Sequence, residues 1–155
     1  MADTRTGHCL CGAVSIVVAD VPHELGACHC GMCRRWTGLC TLSFGVAGAD
    51  LKITGAENVA AYRSSEGAER CFCRVCGSNL WYHLTIPDQK ITHVVAAGLL
   101  DDLSGLHLDH EIFIDRKPDA FAFAGETRKM TEAEFMAAIS ANAVSANAVS
   151  ANPEE

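Results

Sequence analysis

Cys71-Phe72-Cys73-Arg74-Val75-Cys76-Gly77, running on through Ser78 into Asn79-Leu80-Trp81-Tyr82, places two clustered thiol motifs directly ahead of a β-rich apolar segment. A C-x-x-C closed by glycine lets the backbone fold around a cation, because Gly77 tolerates the positive φ that such a bend needs. Outward from this knuckle the same texture continues. Val14-Ser15-Ile16 alternates apolar and polar, and Leu42-Ser43-Phe44 and Ile91-Thr92-His93-Val94-Val95 are further short β-rich runs, punctuated by Gly and Asp. No helix-length amphipathic segment separates them, so a parallel sheet with helical crossovers lacks its connectors. The sequence therefore predicts a mainly β, antiparallel fold from Gly7 to about Gly125, with one helical turn at Met32 to Trp36.

The 155 residues, 49% hydrophobic and 20% charged, suit one domain that can form a core without covalent staples. The nine cysteines need another explanation. Their number is odd and the opening Met1-Ala2-Asp3-Thr4-Arg5-Thr6 is polar, which argues against a secreted disulfide framework and for a reducing, cytoplasmic setting. No apolar run approaches the ~18–20 residues that span a bilayer, so no membrane partner is expected. Twelve basic against nineteen acidic residues give a formal charge of −7, which disfavours a broad phosphate-binding surface, and no nucleic-acid partner is expected either.

The chain changes character near residue 130. Thr131-Glu132-Ala133-Glu134 has the capping-box pattern, and Phe135, Ala138 and Ile139 share a helical face, which predicts a helix from about Glu132 to Ser140. Beyond it Ala141-Asn142-Ala143-Val144-Ser145 recurs as Ala146-Asn147-Ala148-Val149-Ser150. A five-residue step rotates about 140° around a helix, so the repeat builds no single apolar stripe. It either prolongs the helix through its alanines or forms a mobile tail. Residues 1–130 are thus read as one cysteine-rich β domain, and 131–155 as a C-terminal helix with a low-complexity tail.

Eight cysteines fall into three groups: Cys9 and Cys11; Cys28, Cys30 and Cys33; Cys71, Cys73 and Cys76. On an extended strand residues two apart share a face, so each C-x-C offers paired thiols and turns its middle residue away. His29 is accordingly read as a bystander. Soft thiolates in tetrahedral array suit zinc, and a fourth protein ligand separates a closed structural site from an open reactive one. Joining the first and third groups clamps distant segments of a small β domain. The second group is completed either by another side chain, Cys40 first and Cys71 behind it, or by nothing. A zinc-ribbon partition of Cys30 and Cys33 with Cys73 and Cys76 is the rival, but its intervening segment greatly exceeds the about 15–20 residues of the usual pattern.

Gly7-His8-Cys9-Leu10-Cys11-Gly12-Ala13-Val14, Cys28-His29-Cys30-Gly31-Met32-Cys33-Arg34-Arg35-Trp36-Thr37-Gly38 and Arg70-Cys71-Phe72-Cys73-Arg74-Val75-Cys76-Gly77-Ser78-Asn79-Leu80 together resemble the glutathione-dependent formaldehyde-activating enzyme family and its centromere-protein relatives. The likeness runs more weakly through Gly98-Leu99-Leu100-Asp101-Asp102 and Glu111 to Asp119. It implies a small β-tent fold with two zinc ions. Cys9, Cys11, Cys73 and Cys76 would hold a structural zinc, and Cys28, Cys30 and Cys33 a catalytic one. The chain departs from the family where His8 replaces the usual Gly, and where Ala120-Phe121 stands in place of a Trp near the last strand.

The activity this resemblance implies is that of a carbon-sulfur lyase, S-(hydroxymethyl)glutathione synthase-like, with glutathione and formaldehyde as small-molecule partners. A three-cysteine zinc with a vacant position can bind an incoming thiol and lower its pKa from the ~8.5 of a free thiol. Glutathione carries two carboxylates, so its site needs local positive charge. Arg34 and Arg35 follow Cys33 directly and are the candidate glutathione ligands, with Trp36 as a wall of the open position. Arg70 and Arg74 flank the third cysteine group and would offset thiolate charge. Two other classes compete: a non-catalytic, zinc-stabilised binding module, and a thiol-disulfide exchanger using a C-x-x-C pair.

Overall fold

A computed structural model describes residues 3–150, with side chains described to residue 141. In chain order its elements are β1 (Arg5–His8), β2 (Ser15–Val18), β3 (Glu24–Cys28), α1 (Gly31–Thr37), β4 (Thr41–Val46), β5 (Leu51–Thr54), β6 (Val59–Ser65), β7 (Ala68–Cys73), β8 (Asn79–Leu84), β9 (His93–Ala96), β10 (His107–Ile112), β11 (Arg128–Met130) and α2 (Glu132–Ser150). The protein is mainly β, as its short alternating runs predict. Among the described residues no helix is long and apolar enough to cross a membrane.

Two sheets form. The smaller has the order β1-β2-β5, and the larger β11-β10-β3-β4-β9-β8-β7-β6. Every described ladder is antiparallel except those of β10, which runs parallel to both β3 and β11. The antiparallel expectation fails at this strand for a topological reason. β3 and β10 are far apart in sequence, so their pairing needs no short helical crossover, and residues 113–127 carry the chain back from β10 to β11 without one.

The core collects the inward residues of both sheets. Ile16 and Val18 from the small sheet, with Val14 just before β2, meet Phe44, Val46, Leu80, Trp81 and Val95 from the large one. Burying each such side chain contributes roughly 1.5–3 kcal/mol. Gly7 forms a lone bridge with Leu100, and a Cβ there would collide with the carbonyl oxygen of Leu99, so close approach of β1 to the turn after β9 requires glycine. In β8 the register shifts opposite Cys71 and Phe72, which leaves Leu80 without a ladder partner, and consecutive Leu80 and Trp81 are both buried.

The helices start where their caps allow. Cys30 is the N-cap of α1, its sulfur accepting the Cys33 N–H at 3.3 Å, and left-handed Gly38 ends the helix. The predicted capping box of α2 is present. Glu134 Oε2 accepts the Thr131 N–H at 2.7 Å, while the Glu134 N–H donates to Thr131 Oγ1 at 3.3 Å. Phe135 then packs against Phe113 with ring centroids 5.5 Å apart. The helix continues past the expected end at Ser140 to Ser150, the alanine-rich repeat supplying propensity where it supplies no apolar face. The last part of the expected low-complexity tail, residues 151–155, lies outside the described residues.

Candidate metal and substrate site

The first and third cysteine groups meet as the clamp argument requires. β1 stops at His8, and a turn closed by the Gly12 N–H on the Cys9 carbonyl, 3.0 Å, carries Cys11 back over Cys9. The expected extended C-x-C is therefore a turn at this point, because Gly12 with φ +77° reverses the chain. Cys73 ends β7. The Gly77 N–H donates to its carbonyl at 2.8 Å, with Gly77 at φ +78°, and this knuckle returns Cys76 to the same point. The four sulfurs lie within 4.8 Å of one another.

These distances test the fit of a metal. Tetrahedral zinc with Zn–S of about 2.3 Å has sulfur–sulfur edges of about 3.8 Å. Cys9 to Cys11 measures 3.6 Å and Cys11 to Cys73 measures 3.9 Å. Cys9 and Cys73 are wholly buried, and the Val14 N–H donates to the Cys9 sulfur at 3.3 Å. The Ser78 hydroxyl, 3.2 Å from Cys76 Sγ, lowers that thiol's pKa to about 5 and also accepts the Leu10 N–H. A soft four-sulfur set of this size fits zinc.

Cys28, Cys30 and Cys33 form a separate group, again with all sulfurs within 4.8 Å. Cys28 closes β3, Cys30 caps α1 and Cys33 lies in the first turn of that helix. Hydrogen bonding from the Cys28 and Cys33 thiols, aided by the Cys33 and Met32 backbone N–H groups, brings Cys30 down to about 2, and the same sharing pushes Cys28 up. Arg70, buried on β7, donates to Cys33 Sγ from both terminal nitrogens at 3.7 and 3.6 Å. Its guanidinium stands 5.2 Å over the Tyr82 ring.

Among the described residues, neither Cys40 nor Cys71 joins either group. Burial and the charge of Glu69 push Cys71 up to about 11, as befits a core thiol beside Trp81, and burial raises Cys40. The zinc-ribbon partition is not made, since Cys30 and Cys33 stand with Cys28 while Cys73 and Cys76 stand with Cys9 and Cys11. All nine cysteines are free.

A cavity of about 540 Å³ lies beside the three-cysteine group, and Cys30 alone of the three cysteines lines it. Its lining includes Cys30, Arg34, Arg35, Phe113, Arg116 and Glu132. Both arginines singled out from the sequence are present, and Arg116 makes a third, paired to Glu132 at 2.6 Å. Phe113 reaches the wall because its φ is +57°, a left-handed conformation costing roughly 1–2 kcal/mol in a bulky residue. Arg116 and Glu132 were not singled out by spacing, as they lie some eighty residues or more from the cysteines. Trp36 does not line this cavity. It lines a larger one of about 920 Å³ with His8, Thr37, Cys40 and Asn79, where its Nε1–H donates to Asn79 Oδ1 at 2.9 Å and its ring stacks on Tyr62. α1 turns Trp36 toward β6 and β7, where its ring meets Tyr62 and Phe72. Arg74, expected to offset thiolate charge, donates instead to the Val59 carbonyl at 3.2 Å.

His29 points away from the thiols, as alternation predicts, and is buried with Glu111 at 2.7 Å. Phe121 packs on that imidazole with ring centroids 5.7 Å apart.

Residues 4–116 match the sequence model of the glutathione-dependent formaldehyde-activating enzyme family. An uncharacterized lyase of Schizosaccharomyces pombe is 33% identical over 133 residues, covering 86% of this chain and 95% of its own. A Halomonas elongata protein, named as a candidate glutathione-dependent formaldehyde-activating enzyme, is 31% identical over 122 residues, 73% of this chain and 76% of its own.

Proposed function

The chain belongs to the glutathione-dependent formaldehyde-activating enzyme family, and from that membership we propose that it is a zinc-dependent carbon-sulfur lyase joining a thiol of the glutathione type to a small aldehyde. The observation that carries this reading is the three-cysteine group, which has no fourth protein ligand among the described residues and borders a cavity rich in arginine. The separate four-cysteine group would hold a structural metal, which leaves the three-cysteine group for chemistry. The chemistry that zinc supplies when held by Cys28, Cys30 and Cys33 is acidification of a thiol entering the remaining position.

The protein's own residues do the rest. Arg34 and Arg35 bind the carboxylates of the thiol tripeptide, and Arg116 widens the basic wall. A cavity of about 540 Å³ lies within the size range of small-molecule sites. Arg70, donating to Cys33, offsets the negative charge that accumulates as a further thiolate arrives. The thiol sulfur forms a bond to the aldehyde carbon, the carbonyl π bond opens, and the thiol proton ends on the carbonyl oxygen. The lyase direction is the reverse. Because thiolates donate strongly to a metal, orientation of the two reactants contributes more than polarisation of the carbonyl.

The deciding experiment is a calorimetric titration of the metal-loaded protein with glutathione beside Cys33→Ser. Binding by the intact protein alone is expected. Absence of binding in both would replace this reading with a binding module in which both metals are structural.

A further inference from the structure

His29 has no part in the ligand set, yet it is 1% exposed and lies between two proposed ligands. Its Nε2–H donates to Glu111 Oε2 at 2.7 Å, and the Thr127 hydroxyl donates to the other carboxylate oxygen at 2.6 Å. Nδ1 is buried without a partner. The rings of Phe121 and Phe123 stand 5.7 and 6.2 Å from the imidazole. The backbone is held as well: the His29 N–H donates to the Ile112 carbonyl at 3.1 Å, and Glu111 sits on β10 opposite Ala27 of β3.

Stability alone does not account for such a pair. Burying a carboxylate is costly, and replacing a buried polar pair by apolar groups of the same shape is often neutral or stabilising. What a hydrogen-bonded pair adds is direction. Apolar packing against Phe121 and Phe123 tolerates a sliding imidazole, whereas the bond to Glu111 is satisfied at one setting of the Cys28-His29-Cys30 backbone. The torsions that place His29 on one face set Cys28 and Cys30 on the other.

We propose that His29 and Glu111 are positioning residues for the three-cysteine site. Anchored by Thr127, they lock the backbone between two ligands so that the Cys28 and Cys30 thiols are arranged for a metal ion before it binds. The site is thus prepared from behind, by a polar clamp on the neighbouring parallel strand. This rests on the reading that Cys28, Cys30 and Cys33 hold a metal.

Cobalt(II) titration of the full-length metal-free chain tests it, followed by thiolate-to-cobalt absorption and a chelator competition. The intact protein is expected to take two equivalents, with Cys28→Ser identifying the one held by the three-cysteine group. Glu111→Gln and His29→Leu should lower affinity for that equivalent about 10- to 100-fold and leave the four-cysteine equivalent unchanged. His29→Gln, which keeps an N–H donor near the Nε2 position, should recover most of the loss. If His29→Leu fails to fold, Glu111→Gln and His29→Gln decide the matter. Unchanged affinity in Glu111→Gln, equal weakening at both sites, or no rescue by His29→Gln overturns the proposal while leaving the two-metal reading intact. Uptake of a single equivalent by the intact protein overturns the two-metal reading itself.

Discussion

Arg70 reaches Cys33 from across the large sheet, both terminal guanidinium nitrogens donating to its sulfur at 3.7 and 3.6 Å. β7 supplies the arginine and α1 the cysteine, so the charge beside the three-cysteine group comes from a strand that also carries a four-cysteine ligand, Cys73. Three thiolates already exceed the charge of a divalent ion, and an entering fourth adds to the excess. Arg70→Met keeps an apolar stem and removes the charge. Hydrogen bonds to charged groups are worth roughly 1.5–3 kcal/mol, so glutathione should bind the metal-loaded variant about tenfold more weakly or worse. Calorimetry checks this, and an unchanged Kd contradicts it.

The basic cavity makes a separable prediction. Replacing Arg34 and Arg35 by Ala should weaken glutathione binding while metal content stays at the level of the intact protein, because neither guanidinium touches a sulfur in the described contacts. Metal analysis and titration of the same sample read the two effects. Retained affinity would move the thiol to another part of the protein.

The four-cysteine group ties the turn after β1 to the knuckle after β7. Chelation, or Cys73→Ser, should therefore lower the thermal midpoint sharply, whereas Cys28→Ser should shift it much less. Gly77→Ala forces a Cβ into the left-handed region and should cost roughly 1–2 kcal/mol. Thermal melts of the three variants order the effects, and equal sensitivity at Cys28 and Cys73 would contradict this division.

Acid should act through Glu111. Burial works to raise its pKa, but hydrogen bonds from Thr127 and His29 outweigh burial and hold it below the ordinary 4.5. A folded-state value below the unfolded one contributes stability that is fully present above the unfolded pKa and is lost as pH falls through the folded one. The stability gap between the intact protein and Glu111→Gln should thus be widest above about pH 5 and narrow on acidification below it. Urea unfolding at several pH values measures the gap, and a gap that does not change with pH contradicts the assignment.

Much of this was legible in the residues. Thr131 and Glu134 form the capping box their spacing announces, and Gly77 has the positive φ that a knuckle needs. The division of cysteines follows from clustering and from the family likeness. What escaped is what depends on long-range pairing. The parallel course of β10 leaves no local signature, and Arg116 and Glu132 reach the cavity only because the chain returns beside α1. Cys71 clusters with Cys73 and Cys76 in sequence and stood behind Cys40 as a spare ligand for the second group. The register shift beside it leaves it in the core while Cys73 joins the metal group.

The two sulfur groups differ in how early they can exist. Cys28, Cys30 and Cys33 span six residues, so an emerging chain carries all three as a ready local chelator, while Cys11 and Cys73 are 62 positions apart and meet only after most of the sheet is made. If this group holds a metal, the trio would capture it first and loosely during synthesis, and the arrival of β10 beside β3 would firm the grip. Scarce metal would be expected to favour the local trio early and the distant quartet late, so that the order of filling records the progress of folding.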